Sequence, residues 1–330
     1  MKRREFITLV GGAAAAWPFA ARAQQADRVR RIGYISPGPE GSPRNVKWLA
    51  EFERALGSLG WTNGRNLQID YRWGAVDPGL RERSARELVA LRPEAILVST
   101  PTVAVALLQE TRTIPIVVLD GPESAFRRFV VDWSHPGGNI TGFINFENSI
   151  FGKWLQLLKE AAPQVNRVAY LFNPESTLPG NYAVGELETA ARLMRLDVSA
   201  APVHDSIGIE AAIGALAAER RGGAVVFLGP FPANHQPDIF AAANRAGVPV
   251  IYPFSYYVEN GGLLSYGVDE LDLYRGAAAY IDRILKGTNP SDLPVQAPTK
   301  FELAANTKAA KAIGIEMPTS ILLRADEVIE

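Results

Sequence analysis

Three acidic side chains stand where an apolar run of the sequence gives way to a loop or a helix. Asp120 ends the run IPIVVLD, Glu123 follows three residues later, and Asp269 follows the run LLSYGV. A carboxylate in such a place can accept charge-assisted hydrogen bonds from an ammonium group. The same residues could instead be solvated acids, and Asp269 also suits the N-cap of a helix over 270–286. Asp120, Gly121, Glu123 and Asp269 are therefore candidate ligand contacts.

Thr100 stands directly before Pro101, which is the pattern of a helix N-cap followed by proline at the first helical position. Unpaired backbone amides at such a terminus can hold a carboxylate, helped by the helix dipole. A simple cap without a ligand explains the same two residues. Further candidates lie in, or directly after, other strand-like runs, and some bring aromatic walls: Ser36, Pro37, Ser99, Asn173, Pro174, Phe231, Tyr252 and Tyr266.

The residue types needed for catalysis do not fall into a recognisable pattern. His135, His204 and His235 have no metal-ligand spacing, and the sequence has neither an H-E-x-x-H motif nor a phosphate-binding loop. Ser265 lacks the glycine that a nucleophile elbow needs two positions earlier. The chain has no cysteine, which excludes thiol catalysis, thiolate metal sites, disulfides and a lipoprotein anchor. We therefore expect no catalytic residue, no metal and no cofactor.

Short β-branched or apolar runs alternate along the chain with segments of helical periodicity, such as the stripe Leu49, Phe52 and Leu56. Nine runs are predicted strands: 31–36, 66–73, 94–99, 114–120, 167–172, 196–201, 224–229, 248–253 and 263–268. Several are apolar at consecutive positions, as parallel strands buried under helices require. The alternation predicts an α/β fold with parallel sheets and right-handed crossovers. In such sheets ligands bind beyond the carboxyl ends of the strands.

The first 23 residues have the three-part layout of a secretory signal. Basic residues at 2–4 precede an apolar run over 7–20, and the small side chains of Ala21 and Ala23 suit a cleavage site. The paired arginines in that basic start also resemble a twin-arginine export signal. We therefore expect export from the cytoplasm by a twin-arginine-like or a general secretory route.

The length of 330 residues exceeds one comfortable hydrophobic core, which favours two domains. Three stretches rich in Pro or Gly are interpreted as crossings between them: HPGGNITGF (135–143), ENGGLLSYGVDE (259–270) and NPSDLPVQAPT (289–299). The formal net charge is −1, and no basic patch stands out. This charge pattern argues against a nucleic-acid partner.

Motifs spread from about residue 30 to residue 330 resemble those of a known family. They are GWTNGRNLQIDYRW, IPIVV, HPGGNITGF, GGLLSYGVD, RILKGTNPSDLPVQAPTKFELAANTKAAKAIGI and the ending LLRADEVIE. Together they are similar to the substrate-binding proteins of ABC transporters, in the family that includes tryptophan- and phenylalanine-type binders from bacteria. The resemblance implies a type I periplasmic-binding-protein fold, in which two Rossmann-like lobes with parallel sheets are joined by three crossing segments.

On that plan the signal peptide covers 1–23. One lobe covers 28–142 plus 269–296, the other covers 143–263 plus 297–330, and 264–268 is a crossing strand. The ligand would lie between the lobes, where the candidate residues named above would touch it. The resembled family has a Gly-Asp-Pro-like turn after the fourth strand, whereas this chain has DGPE at 120–123. That departure leaves room for a different ligand.

The resemblance implies a periplasmic solute-binding protein of an ABC importer. It would close on a small molecule, with an amino acid or aromatic compound favoured, and deliver it to a membrane permease. It would be no enzyme, and monomer is the usual form in the resembled family. Two other classes stay open: a two-lobed secreted enzyme, with an acid pair drawn from Asp120, Glu123 and Asp269, and a ligand-sensing module for a signalling partner. Turnover would identify the enzyme, and a neighbouring permease gene would separate carrier from sensor.

Overall fold

The computed structural model describes residues 29–130, 132–147, 149–175, 184–217 and 221–330. The secretory and twin-arginine signals predicted over 1–23 lie outside these residues. Within the described part of the chain, none of the helices has both the length and the apolar character needed to cross a membrane.

A five-stranded parallel sheet, with its helices, forms the first lobe. Its strands run in the order β2-β1-β3-β4-β5. They are β1 (Arg30–Ile35), β2 (Leu67–Arg72), β3 (Ala95–Val98), β4 (Ile116–Val118) and β5 (Ile140–Gly142). The helices between them are α1 (Pro43–Ser58), α2 (Pro78–Ala90), α3 (Pro101–Glu110) and α4 (Glu123–Phe126). The predicted alternation of strand and helix is confirmed here, since four of the five strands match predicted runs.

A seven-stranded sheet forms the second lobe, in the order β12-β11-β10-β9-β8-β6-β7. The remaining helices are α5 (Ile150–Ala161), α6 (Val184–Leu193), α7 (Ser206–Ala217), α8 (Pro230–Asn234), α9 (Gln236–Ala246), α10 (Ser255–Glu259), α11 (Glu270–Leu285), α12 (Thr307–Ala312) and α13 (Thr319–Leu322). The strands are β6 (Arg167–Phe172), β7 (Asp197–Pro202), β8 (Gly222–Val226), β9 (Val250–Tyr252), β10 (Leu264–Val268), β11 (Phe301–Asn306) and β12 (Glu327–Ile329). Although α11 comes late in the chain, it packs against α1, β3 and β4 of the first lobe.

Three strands were not predicted, and one pairing departs from the predicted parallel arrangement. The missing strands are β5, β11 and β12, and β11 pairs antiparallel with β10. Strands of three residues, such as β5 and β12, are too short to carry a periodic signal. The six residues of β11 follow a Pro-rich stretch and lead directly into a helix, so neither their alternation nor their direction stood out in the sequence.

The lobes are joined where chain segments cross from one sheet to the other. Beside β5, the amide of Gln296 donates to the carbonyl of Gly142 at 2.9 Å, and the amide of Ile144 donates to the carbonyl of Gln296 at 2.9 Å. The third crossing leads from β10 into α11. One apolar cluster is continuous across the junction and includes Trp48 of the first lobe and Tyr256 of the second. The lobes therefore share part of their core.

Candidate functional site

Three polar side chains follow neighbouring strands of the first sheet at one edge. Ser36 and Ser99 come directly after β1 and β3, and Asp120 lies two residues after β4; the three strands are adjacent in the sheet. The Ser36 hydroxyl accepts a hydrogen bond from the amide of Gly38 at 3.2 Å. The Ser99 hydroxyl is buried and has no hydrogen-bond partner at ordinary distance among the described residues. Burial raises the pKa of the Tyr34 hydroxyl, and the Ser99 side chain is one of the groups that act to lower it. Ser99 can therefore still donate to, or accept from, a ligand.

Asp120 is held by an asparagine from the next strand along the sheet. Asn145, which follows β5, donates a hydrogen bond from its side-chain amide to the Asp120 carboxylate. The backbone amide of Asn145 donates to the carbonyl of Gly121 at 3.1 Å. The side-chain oxygen of Asn145 is buried without a hydrogen-bond partner among the described residues. Buried acceptors of this kind normally have a partner, so the arrangement suits a ligand that donates hydrogen bonds.

Two partly buried carboxylates and one partly buried guanidinium share this region. Burial raises the pKa of Asp120 to about 7, although the Arg44 guanidinium and the Asn145 amide both act to lower it. Burial also raises the pKa of Glu270, the first residue of α11, and Arg44 again opposes the shift. Asp120 is half-buried, so part of its side chain stays accessible to a ligand.

The second lobe meets this cluster through α10. The Arg44 guanidinium donates a hydrogen bond to the Tyr256 hydroxyl at 2.6 Å, and Tyr256 belongs to the aromatic run YPFSYY. A cleft of about 410 Å³ lies where α1 and the start of α11 face the second lobe. Residues from both lobes line it, including Ser42, Arg44, Lys47, Trp48, Ser255, Tyr256, Glu259, Asp269, Glu270 and Glu302. Charged and aromatic groups therefore meet between the lobes.

Several candidates near the first sheet have their polar groups engaged by neighbours. The Glu123 carboxylate pairs with Arg127, one helical turn away on the surface. Thr100 occupies the predicted N-cap position of α3, but its hydroxyl bonds to Thr102 at 3.0 Å and makes no cap hydrogen bond. Asp269 lines the cleft and also caps α11, accepting from the amide of Asp272 at 3.0 Å. It also pairs with Arg275 at 2.9 Å.

The candidates in the second lobe differ in their burial and contacts. Asn173 is buried and donates to the carbonyl of Val203 at 2.9 Å, while Pro174 is exposed. Tyr252 is buried in the core, where its ring stacks on Tyr257 at 5.1 Å between centroids.

Tyr266 stacks on Phe301 at 5.7 Å between ring centroids, and Phe231 stacks on His235 at 4.0 Å. Pro37 is half-buried beside Ser36. The ring contacts of Tyr266 and Phe231 are both with residues of the second lobe.

Three residues of the cluster were not predicted from the sequence: Arg44, Asn145 and Glu270. Each lies one to several residues beyond a strand or a crossing, but none belongs to a motif with a recognisable spacing. Asn145 pairs with a residue 25 positions away, and Arg44 bonds to a residue 212 positions away. Only Asn145 has a position that could have suggested a role, because it lies two residues after the predicted crossing over 135–143.

Comparison with known proteins identifies relatives across nearly the whole chain. A family model for ABC transporter substrate binding proteins matches residues 45–329. A tyrosine-binding protein of Clostridioides difficile is 24% identical over 269 residues, which are 80% of this chain and 76% of that protein.

Two solved structures share the fold. A conserved domain protein of Vibrio cholerae has a TM-score of 0.81 and 26% identity, covering 91% of this chain and 100% of that one. A Streptococcus pneumonia ABC domain in complex with L-Trp also has a TM-score of 0.81, with 22% identity, covering 91% of this chain and 99% of that one. With this fold and a family match over most of its length, the chain belongs to the ABC transporter substrate-binding proteins.

Proposed function

We propose that this protein captures a small amine-bearing solute, an amino acid or a related aromatic amine, between its lobes outside the cytoplasm. It then delivers the solute unchanged to the permease of an ABC importer. Family membership supports the carrier role, and the tyrosine-binding relative supports an amino acid as the solute. The export signal predicted over 1–23 and the lobe bounds predicted from the sequence are part of the same proposal.

The observation that carries the ligand class is the environment of Asp120. Its carboxylate accepts from Asn145, whose side-chain oxygen has no partner among the described residues, and Ser99 at the end of the adjacent strand β3 has a buried hydroxyl that likewise makes no hydrogen bond with them. An ammonium group has three N–H donors, one for each of the oxygens of Asp120, Asn145 and Ser99. A positive charge there would also offset the burial that raises the pKa of Asp120.

Aromatic side chains around the cluster suit the rest of such a ligand. The hydroxyls of Tyr34 and Tyr274 are hydrogen-bonded at 3.3 Å beside the first sheet. The ring of Trp48 stacks on that of Tyr274 with 5.4 Å between centroids. Phe146 follows Asn145 directly and packs edge-on against Phe227 of the second lobe at 5.6 Å. Such walls favour flat or apolar groups.

The first experiment is a thermal-shift screen of the purified mature protein against amino acids, aromatic acids, aromatic amines and small peptides. A solute that binds the folded state raises the melting temperature by mass action. At a free ligand concentration a hundred times Kd, it raises the free energy of unfolding by about 2.7 kcal/mol. Stabilisation by acids without an amine, and by no amine-bearing compound, would contradict the proposed ligand class.

Asp120→Ala tests the residue that carries the proposal. We expect calorimetry to show binding of the amine-bearing ligand weakened by about 1.5–3 kcal/mol, because a charge-assisted hydrogen bond is lost. Glu123→Ala is the matched control, since that carboxylate lies three residues away and pairs with Arg127 on the surface. Equal affinities of Asp120→Ala and the unaltered protein would remove Asp120 from the site.

A further inference from the structure

Arg44 occupies an unusual place for a cation on the first turn of a helix. Ser42 caps α1 by accepting from the amide of Asn45 at 3.3 Å, and Pro43 is the first helical residue, so the position of Arg44 is well defined. Instead of extending into solvent, its guanidinium lies over the ring of Trp48 at 4.7 Å and over the ring of Tyr256 at 4.9 Å. The side chain is held between an aromatic ring of each lobe.

The contacts of Arg44 reach from one lobe to the other. Arg44 and Trp48 belong to α1 of the first lobe, whereas Tyr256 belongs to α10 of the second. The guanidinium donates to the Tyr256 hydroxyl at 2.6 Å, and the rings of Trp48 and Tyr256 meet edge to face at 6.3 Å. An opening of the hinge between the lobes would break these contacts, because it would separate α1 from α10.

The charge of Arg44 also suits the closed arrangement. In this arrangement burial raises the pKa of both Asp120 and Glu270, and within the described part of the chain the Glu270 carboxylate makes no hydrogen bond or ion pair. Burying two acids without a cation is costly. Arg44 lies within electrostatic reach of both and offsets part of that cost. A guanidinium suits such a place because it is always charged and stacks on aromatic faces.

We propose that Arg44 is the latch of lobe closure, a positioning residue that holds the two lobes together through Tyr256 and keeps part of the free protein closed. The inference goes beyond ligand capture but rests on the proposed function in one respect, since it assumes that the lobes open and close. Because a contact made only in the closed form shifts the equilibrium toward that form, the latch also tightens binding of any ligand that needs closure.

The test measures closure without using a ligand. Because the chain has no cysteine, spin labels can be attached at Glu40→Cys and Asn234→Cys, one in each lobe. Both positions are exposed; Glu40 follows a residue that lines the cleft, and Asn234 lines the cleft itself. Pulsed electron spin resonance then gives the fraction of ligand-free molecules with the short, closed distance. In the labelled Arg44→Ala protein we expect the ratio of closed to open molecules to fall about tenfold or more.

Lys47→Ala is the matched control. Lys47 lies on the same helix and also joins the lobes, through Glu259 at 3.1 Å, but this ion pair is exposed. An exposed pair contributes little, so the closed-to-open ratio should change by less than about fivefold. Tyr256→Phe, which removes only the hydroxyl, should shift the ratio in the same direction as Arg44→Ala but less.

An equal closed fraction with and without Arg44, or no closed fraction in the unaltered free protein, would overturn the latch. If Arg44→Ala does not fold, Arg44→Lys and Tyr256→Phe decide the same question. Because the readout needs no ligand, failure of the latch is separate from failure of the proposed function, which would appear as a thermal-shift screen without a stabilising amine.

Discussion

The acid-base chemistry of Asp120 is set by its surroundings. Burial raises its pKa from 3.8 to about 7, against the opposing effects of Arg44 and Asn145. For an acid whose pKa is raised by folding, the associated stability is present at low pH and is lost as the pH rises through the folded-state value. Above about pH 7 the protein therefore carries a buried negative charge that a cationic ligand can neutralise.

Ligand binding should depend on pH through this carboxyl group. A bound ammonium lowers the pKa of Asp120, so binding should release a proton below about pH 7 and should tighten as the pH rises through that value. Calorimetry in buffers of different ionisation enthalpy measures the released proton. Asp120→Asn should bind more weakly, with no proton release at this site. The same pH dependence in Asp120→Asn would assign the titration to another group.

Among the secondary-structure elements, β10 links the second sheet to a helix that packs on the first lobe. It pairs with β9 and β11 in the second sheet and leads directly into α11, which packs on the first lobe. Gly267 lies in this strand, where a Cβ atom would come within 1.7 Å of the carbonyl oxygen of Pro253. The strand can therefore occupy its place only because this position has no side chain.

Gly267→Ala should destabilise the protein by about 1–3 kcal/mol, because a methyl group would be forced against backbone. Gly57→Ala is the control, since Gly57 is an exposed residue within α1 where an added Cβ meets nothing within 4 Å. That change should stabilise by about 0.5–1 kcal/mol through helix propensity. Chemical denaturation measures the free energy of unfolding of both variants. A Gly267→Ala protein as stable as the parent would contradict the close approach of position 267 to the Pro253 carbonyl.

In the molecule taken together, the lobes share one apolar cluster as well as three crossing segments. Phe143 packs against Tyr280 of α11 at 4.8 Å between ring centroids, and Phe146 reaches Phe227 of the second lobe. The shared cluster opposes independent unfolding, because unfolding one lobe would expose part of the core of the other.

We expect the ligand-free protein to unfold in a single cooperative thermal transition. Scanning calorimetry should give equal calorimetric and van't Hoff enthalpies, which is the test of two-state behaviour. Two resolved transitions, or fluorescence and circular dichroism curves with different midpoints, would show instead that the lobes unfold separately.

Much of the architecture follows from patterns that are local in the sequence. Consecutive apolar positions in runs such as AILV of β3 predict buried parallel strands, and helical stripes such as Leu49, Phe52 and Leu56 predict the covering helices. Because carboxyl ends of parallel strands meet at one edge, the sequence also predicts that Ser36, Ser99 and Asp120 lie together. The fold class was therefore accessible from the sequence, and so was the grouping of three residues of the proposed site at one edge of the first sheet.

Only the tertiary structure decides which distant residues complete the site. The partners of Asp120 and Tyr256, namely Asn145 and Arg44, are brought near by crossings and lobe packing that no local pattern encodes. The same holds for Tyr252, whose aromatic run predicted a ligand wall but whose ring lies in the core. Hydrophobic periodicity reports which face of an element is buried, whereas charge, closure and the raised pKa of Asp120 depend on what that face meets.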